Sequence, residues 1–325
     1  MSYNLVCSNI QVGVSYMNEK CVEYYSNIKS RTIEWLWYPY IPYGKITIIQ
    51  GDPGEGKTSL ALYLAMLLSN GMPLPLSDKP VSVQNVIYQN REDSAEDTIK
   101  PRLEKYGANC DNVCFILDED KPLLLSDNRL ETSIIETKAR VLILDPIQAY
   151  LGASDMVRAN DIRPLMTSLC KIAERTKCAI ILIGHLNKND NGKDLYRTLG
   201  SIDIVAAARS ILMVRTAEEE NQKLRKIIHV KSNLAPKGRS ISFALENDTL
   251  TKWKYVDGEE NVELTMAQLA EQELKKIVGV NGISSRDAYD YMEAKGFSRR
   301  TVERAKCSLA IKSKKQGQHW MWILE

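Results

Sequence analysis

Apolar residues in this chain come in two rhythms. Short continuous runs of β-branched and aliphatic residues recur at 45–50, 85–90, 113–117, 141–144, 179–183, 210–214 and 226–230. Such runs suit strands whose two faces are both covered. Between them lie stretches with helical spacing or strong helix formers: 59–68, a segment after Ser94 through Lys105, 131–138 and the amphipathic 162–175. Residues 241–244 and 251–255 read as a late hairpin. Strands alternating with helices predict an α/β fold, a mostly parallel central sheet flanked by helices.

The periphery reads differently. Residues 1–30 are weakly patterned, a peripheral N-terminal segment. The aromatic-dense stretch 32–44 is expected to cover one edge of the sheet, with base stacking or a subunit contact as the alternatives. The polar run 257–261 marks a boundary, giving a core domain at 31–257 and a small domain at 262–325. In the latter, 263–278 is a helical pattern, Ser284 caps a second helix to Lys295, and Ser298 caps a third over 299–310. The alternating ribbon 311–323 turns at Gly317, and Trp320 and Trp322 are expected to pack inward. Helix, tight turn, helix and ribbon resemble a winged helix-turn-helix.

The chain has 325 residues, 44% hydrophobic and 26% charged, with a net charge of +2. A balance this even carries no global nucleic-acid signal, so any such signal must be local. It is local here: Lys295, Arg299, Arg300, Arg304, Lys306, Lys312, Lys314 and Lys315 face Glu303 alone between 295 and 315. The third helix would present Arg299 and Arg300 to base edges, and the ribbon lysines suit phosphates. The alternative is a protein-docking module with a solvated basic face. Seven dispersed cysteines, none in a C-x-x-C pair, read as reduced and mostly buried. No apolar run of membrane length and no signal peptide is present, so a cytoplasmic protein without membrane contact is expected.

The chemistry centres on Gly51-Asp52-Pro53-Gly54-Glu55-Gly56-Lys57-Thr58, followed by Ser59. This is a phosphate-binding loop set between a strand and a helix. Glycines let successive backbone N–H groups wrap an anion, Lys57 reaches the β- and γ-phosphates, and Thr58 can ligate Mg²⁺. ATP and Mg²⁺ are the expected cofactors. In open α/β sheets ligands sit beyond the carboxyl ends of the strands, and polar residues emerge there. Asp145 is placed for Mg²⁺, against a turn-capping role. Glu92 is placed to orient or deprotonate water, with adjacent Asp93 as substitute. His185 is placed to sense the γ-phosphate, against a structural hydrogen bond. In the polar loop after it, Lys188, Lys193 and Arg197 either meet nucleic-acid phosphates or are simply solvated.

The order of these residues, with Gly184-His185-Leu186-Asn187-Lys188, Gly200 to Arg209 and Val230-Lys231-Ser232-Asn233, resembles the RepA-like hexameric helicases. These are RecA-fold ATPases related to DnaB and KaiC, and the resemblance covers about residues 30–255. It implies a homo-oligomeric ring, usually of six subunits, with ATP between subunits and single-stranded DNA in a central channel. It further implies helicase or translocase action in replication of a plasmid, phage or mobile element. On that reading Arg209 is the arginine finger given to the neighbour's ATP, and Lys231 is a second candidate. Asn233 stands where DnaB-like members carry the arginine of a Lys-x-Arg pair, which favours Arg209. The separate N-terminal domain of DnaB is not expected. The rival readings are a regulatory ATPase of KaiC or recombinase type, and a DNA-binding protein gated by nucleotide.

Overall fold

The computed structural model describes residues 22–152, 159–185, 202–219, 222–246, 249–256, 266–278, 282–316 and 319–323. The chain divides into two units, Met1–Ile33 and Glu34–Glu325. The described part of the first holds one 3-10 turn, Tyr25–Asn27, beside which the Glu23 carboxylate accepts from Asn27 Nδ2 at 2.6 Å.

The second unit begins with a two-stranded ribbon, β1 (Trp35–Trp37) and β2 (Ile41–Pro42). The main sheet is built from β3 (Ile46–Gly51), β4 (Val86–Asn90), β5 (Val113–Cys114), β6 (Val141–Asp145), β7 (Ala179–His185), β8 (Ser210–Glu219), β9 (Gln222–Ser232), β10 (Ile241–Glu246) and β11 (Thr249–Tyr255). Their order is β11-β10-β9-β8-β3-β7-β6-β4-β5. From β8 through β5 neighbouring strands run parallel, and β9, β10 and β11 continue the sheet antiparallel. Helices α1 (Lys57–Ser69), α2 (Lys100–Tyr106), α3 (Arg129–Thr137), α4 (Ala159–Thr176) and α5 (Ile202–Ala207) cover it.

Side-chain alternation splits the core into two layers. Ile49, Tyr88, Ile143 and Ile181 pack with α1 and α2. Ile48, Ile87, Leu142 and Ile180 pack with α3 and α4. The expected mostly parallel sheet between helices is therefore the observed one. The aromatic stretch joins the first layer, with Trp37, Tyr40 and Ile41 almost fully buried, while Tyr38 stays exposed.

Three differences from the sequence reading have local causes. β5 stops at Cys114 rather than running to 117, because the Gln89 side chain takes the place of a strand partner. Its Oε1 accepts from Ile116 N–H at 2.7 Å and its Nε2 donates to Ile116 O at 3.1 Å. The strands at 210–214 and 226–230 are longer than predicted, because β8 and β9 extend as one hairpin. The helix after Ser94 opens with one wide turn, Ala95–Ile99, capped by Ser94 and continuous with α2.

The last segment holds α6 (Met266–Val278), β12 (Ile283–Ser284), α7 (Ser285–Ala294), α8 (Arg299–Ser308), β13 (Lys312–Gln316) and β14 (His319–Ile323). Ser284 and Ser298 cap α7 and α8 through the N–H groups of Asp287 and Thr301. The three strands form a separate antiparallel sheet, and the segment has its own apolar core around Met292, Val302 and Trp322. Trp320 does not pack inward as expected. It is 53% exposed while Trp322 is 1% exposed, because only Trp322 reaches that core. The boundary at 257–261 lies outside the described residues.

One buried histidine couples the fold to pH. His229 on β9 is 3% exposed, and its Nδ1 accepts from Gly238 N–H at 2.9 Å. The other ring nitrogen must then carry the proton and donate to Ser210 Oγ, 3.0 Å away. Burial, then the Lys237 charge, push its pKa down to about 4. The unfolded chain takes up this proton near pH 6.5, so stability is lost as pH falls from about 6.5 toward 4. The full loss is roughly 3 kcal/mol. Urea midpoints should already drop between about pH 6.5 and 5, above the range of ordinary carboxylates; a flat profile there would contradict this assignment.

Candidate functional site

Strand register assembles the site. Gly51 at the end of β3 pairs with His185 at the end of β7, and Asn90 at the end of β4 pairs with Asp145 at the end of β6. Four carboxyl ends of adjacent parallel strands thus open on one crevice.

The phosphate loop fills its centre. A Cβ on Gly51 would lie 2.3 Å from Val214 O on β8, so only glycine fits against that strand. Gly54 and Gly56 have φ of +79° and +89°, and nothing lies within 4 Å of the space a Gly54 Cβ would take. Gly56 precedes α1 without a side-chain cap, so the first-turn N–H groups of a 13-residue helix face the loop. Lys57 is 4% exposed, and its ammonium donates to Gly51 O and Asp52 O, both at 2.8 Å. Burial lowers its pKa, opposed by the carboxylates of Asp145, Asp52, Glu55 and Glu92. Ser59 Oγ accepts from Arg102 of α2 at 2.8 Å.

Asp145 is 2% exposed. Its Oδ2 accepts from Thr58 Oγ1 and from Tyr88 OH, each at 2.8 Å. Burial raises its pKa and so does Glu92, while the two hydroxyls and Lys57 lower it. A desolvated carboxylate beside a hydroxyl, with a second carboxylate near, is a site that gains from a divalent cation. Among the described residues no cluster of three or more His, Cys, Asp or Glu could hold a metal alone.

Glu92 follows β4 in a turn held by Asn90, whose Oδ1 accepts from the N–H groups of Glu92 (2.9 Å) and Asp93 (2.7 Å). Its side chain is half exposed, and its Oε1 lies 3.7 Å from His185 Nε2. His185 Nδ1 is buried without a partner. A carboxylate and an imidazole therefore border the loop's mouth with free acceptor and donor capacity. The glycine-bearing loop at the N-terminus of α1, the buried ammonium and the Thr58–Asp145 pair fit a nucleotide polyphosphate with Mg²⁺.

Arg209 and Lys231 stand at the other end of the sheet. Arg209 precedes β8, and its N–H donates to Ile46 O at the start of β3. Ile46 and Gly51 are about 17 Å apart along the strand, so Arg209 does not reach its own phosphate loop. Its side chain is exposed at a cleft of about 390 Å³ shared with Arg163, Thr167, Cys170 and Asp203. Lys231 donates to Val205 O (2.7 Å) and Ala208 O (2.8 Å), the carbonyls at the end of α5. Lys188, Lys193 and Arg197 lie outside the described residues. Arg299, Arg300, Arg304, Lys312, Lys314 and Lys315 are all exposed, on α8 and β13.

A family model described as an AAA domain matches residues 25–191, just over half of the chain. The chain belongs to the AAA domain family. The AAA match spans the phosphate loop, Glu92, Asp145 and His185. Curated relatives are named DNA repair protein RadA. The protein of Halalkalibacterium halodurans is 27% identical over 148 residues, that of Streptococcus pyogenes serotype M3 29% over 150, and that of Bacillus subtilis 28% over 149. Each alignment covers 45% of this AAA chain and 28% of the relative, so the chain spans well under a third of their length. Among solved structures, a KaiC-like protein of Pyrococcus horikoshii superposes with a TM-score of 0.49 at 13% identity, covering 65% of this chain and 90% of that one. Among the described residues no helix is long and apolar enough to cross a membrane.

Sequence reasoning missed three residues in contact with the candidate site: Tyr88, which donates to Asp145; Arg102, which donates to Ser59; and Arg225, whose Nη2 lies 3.4 Å from Gly54 O. Tyr88 had a signal, a lone hydroxyl in an apolar strand ending at the crevice. The two arginines had none, because their partners are distant in sequence.

Proposed function

We propose that this chain is a cytoplasmic, Mg²⁺-dependent, ATP-hydrolysing motor of RecA type acting on DNA, organised as the RepA-like hexameric helicases are. The observation that carries this is the meeting of Thr58, Asp145, Glu92 and His185 around one phosphate loop. Lys57 and the loop amides of 51–59 hold the β- and γ-phosphates, and Thr58 with Asp145 holds Mg²⁺. Glu92 orients and deprotonates the attacking water, and His185 beside it couples the γ-phosphate to the loop that follows. Arg209 is exposed far from its own phosphates, as a residue completing a neighbour's site must be. Lys231 belongs to the same end of the sheet.

The segment 266–323 supports a winged-helix reading. Its helix α8 presents Arg299, Arg300 and Arg304 to solvent, and β13 presents lysines. Such a surface holds duplex phosphates, while Lys188, Lys193 and Arg197 would meet the single strand in the ring.

The test is ATP turnover by the full chain with and without single-stranded and forked DNA. DNA should stimulate turnover and the fork should be opened. Replacing Lys312, Lys314 and Lys315 by alanine should weaken duplex binding by about tenfold or more and flatten its salt dependence by roughly three phosphate contacts. Turnover indifferent to DNA counts against the motor. The relatives named DNA repair protein RadA favour a second reading, a DNA-repair ATPase that assembles on DNA without unwinding it. Stimulated turnover without fork opening would select it.

A further inference from the structure

The β8–β9 hairpin does more than extend the sheet, because it touches the phosphate loop at three points. Val214 O on β8 occupies the space beside Gly51, and Thr216 Oγ1 donates to Glu55 Oε2 at 2.6 Å. Opposite Thr216 in register stands Arg225 of β9. Its side chain lies against the loop: Nη2 is 3.4 Å from Gly54 O, and a Cβ on Gly56 would lie 3.8 Å from Nε.

Arg225 is 9% exposed, and its Nε is buried without a hydrogen-bond partner. Its contact with Gly54 is with a neutral carbonyl at the long limit of a hydrogen bond. A guanidinium this buried and this poorly matched costs free energy unless an anion completes it. The neighbouring group built to receive an anion is the phosphate loop itself.

We propose that Arg225 is a positioning residue of this chain's own nucleotide site: it draws the Gly54 carbonyl outward, so that the loop amides stay turned to the polyphosphate, and its unsatisfied charge is completed by that polyphosphate. This rests on the phosphate-site reading above. It acts in cis, from the hairpin whose other end carries Arg209 and Lys231, and so differs in place and role from a residue given to a neighbour.

The experiment is equilibrium binding of N-methylanthraniloyl-ATP and N-methylanthraniloyl-ADP, with Mg²⁺, to the full chain and to Arg225→Gln and Arg225→Lys, alongside thermal unfolding without nucleotide. Gln should weaken both nucleotides by about tenfold or more, the scale of a lost charge-assisted hydrogen bond. Lys should recover part of that loss, and the nucleotide-free melting temperatures should match the wild type. Gln binding as tightly as wild type overturns the inference. Equal losses in Gln and Lys with lowered melting temperatures also overturn it, since Arg225 would then only pack. A wild-type chain that binds neither nucleotide sinks the phosphate-site reading and this inference with it; wild-type binding with an indifferent Gln variant sinks this inference alone.

Discussion

Lys57→Ala should abolish ATP turnover, by about a thousandfold or more, and should remove most nucleotide affinity. The ammonium is nearly inaccessible to water and holds the loop through Gly51 O and Asp52 O. Charge removed from a desolvated site is not replaced by solvent, and losing one well-placed electrostatic donor already costs about a hundred- to a thousandfold. Here the lost group is a full charge, and its absence leaves Asp145, Asp52, Glu55 and Glu92 unopposed around the phosphates. The measurement is phosphate release at saturating ATP, with circular dichroism to show that the variant folds. A folded variant that keeps a tenth of wild-type turnover would exclude the assigned role.

How far the site could be read in advance depended on how local each contact is. β3, the loop and α1 are contiguous, so composition and spacing sufficed for Gly51 to Ser59. Asp145, Glu92 and His185 were found because each ends an apolar run, and parallel strands bring such ends together whatever their order. The Tyr88–Asp145 contact spans 57 positions, Thr216–Glu55 spans 161 and Arg225–Gly54 spans 171. Those pairings depend on which strands are neighbours, and no local pattern encodes that. Strand ends were misjudged for the same reason. Nothing in the apolar run at 113–117 reveals that the Gln89 side chain will cut β5 short, nor in 319–323 that the helices cover Trp322 and leave Trp320 bare.

Glu92→Gln should separate nucleotide binding from hydrolysis. The substitution keeps shape and removes only the charge and basicity of a side chain more than half exposed. Turnover should fall by about a hundred- to ten-thousandfold, the range for loss of a positioned general base. Nucleotide affinity should hold or rise, because Glu92 is among the charges that raise the Asp145 pKa and oppose anion binding at the same mouth. The variant should therefore remain loaded with ATP and assembled, seen as retained N-methylanthraniloyl-ATP binding and an unshifted sedimentation profile with DNA. Asp93→Asn is the control, since both N–H groups share Asn90 Oδ1 and either carboxylate could face the water. Loss of turnover in Asp93→Asn but not in Glu92→Gln would move the base by one residue. Wild-type DNA binding and release in both, with hydrolysis gone, would show that nucleotide only gates assembly, and would remove the motor while leaving the phosphate site intact.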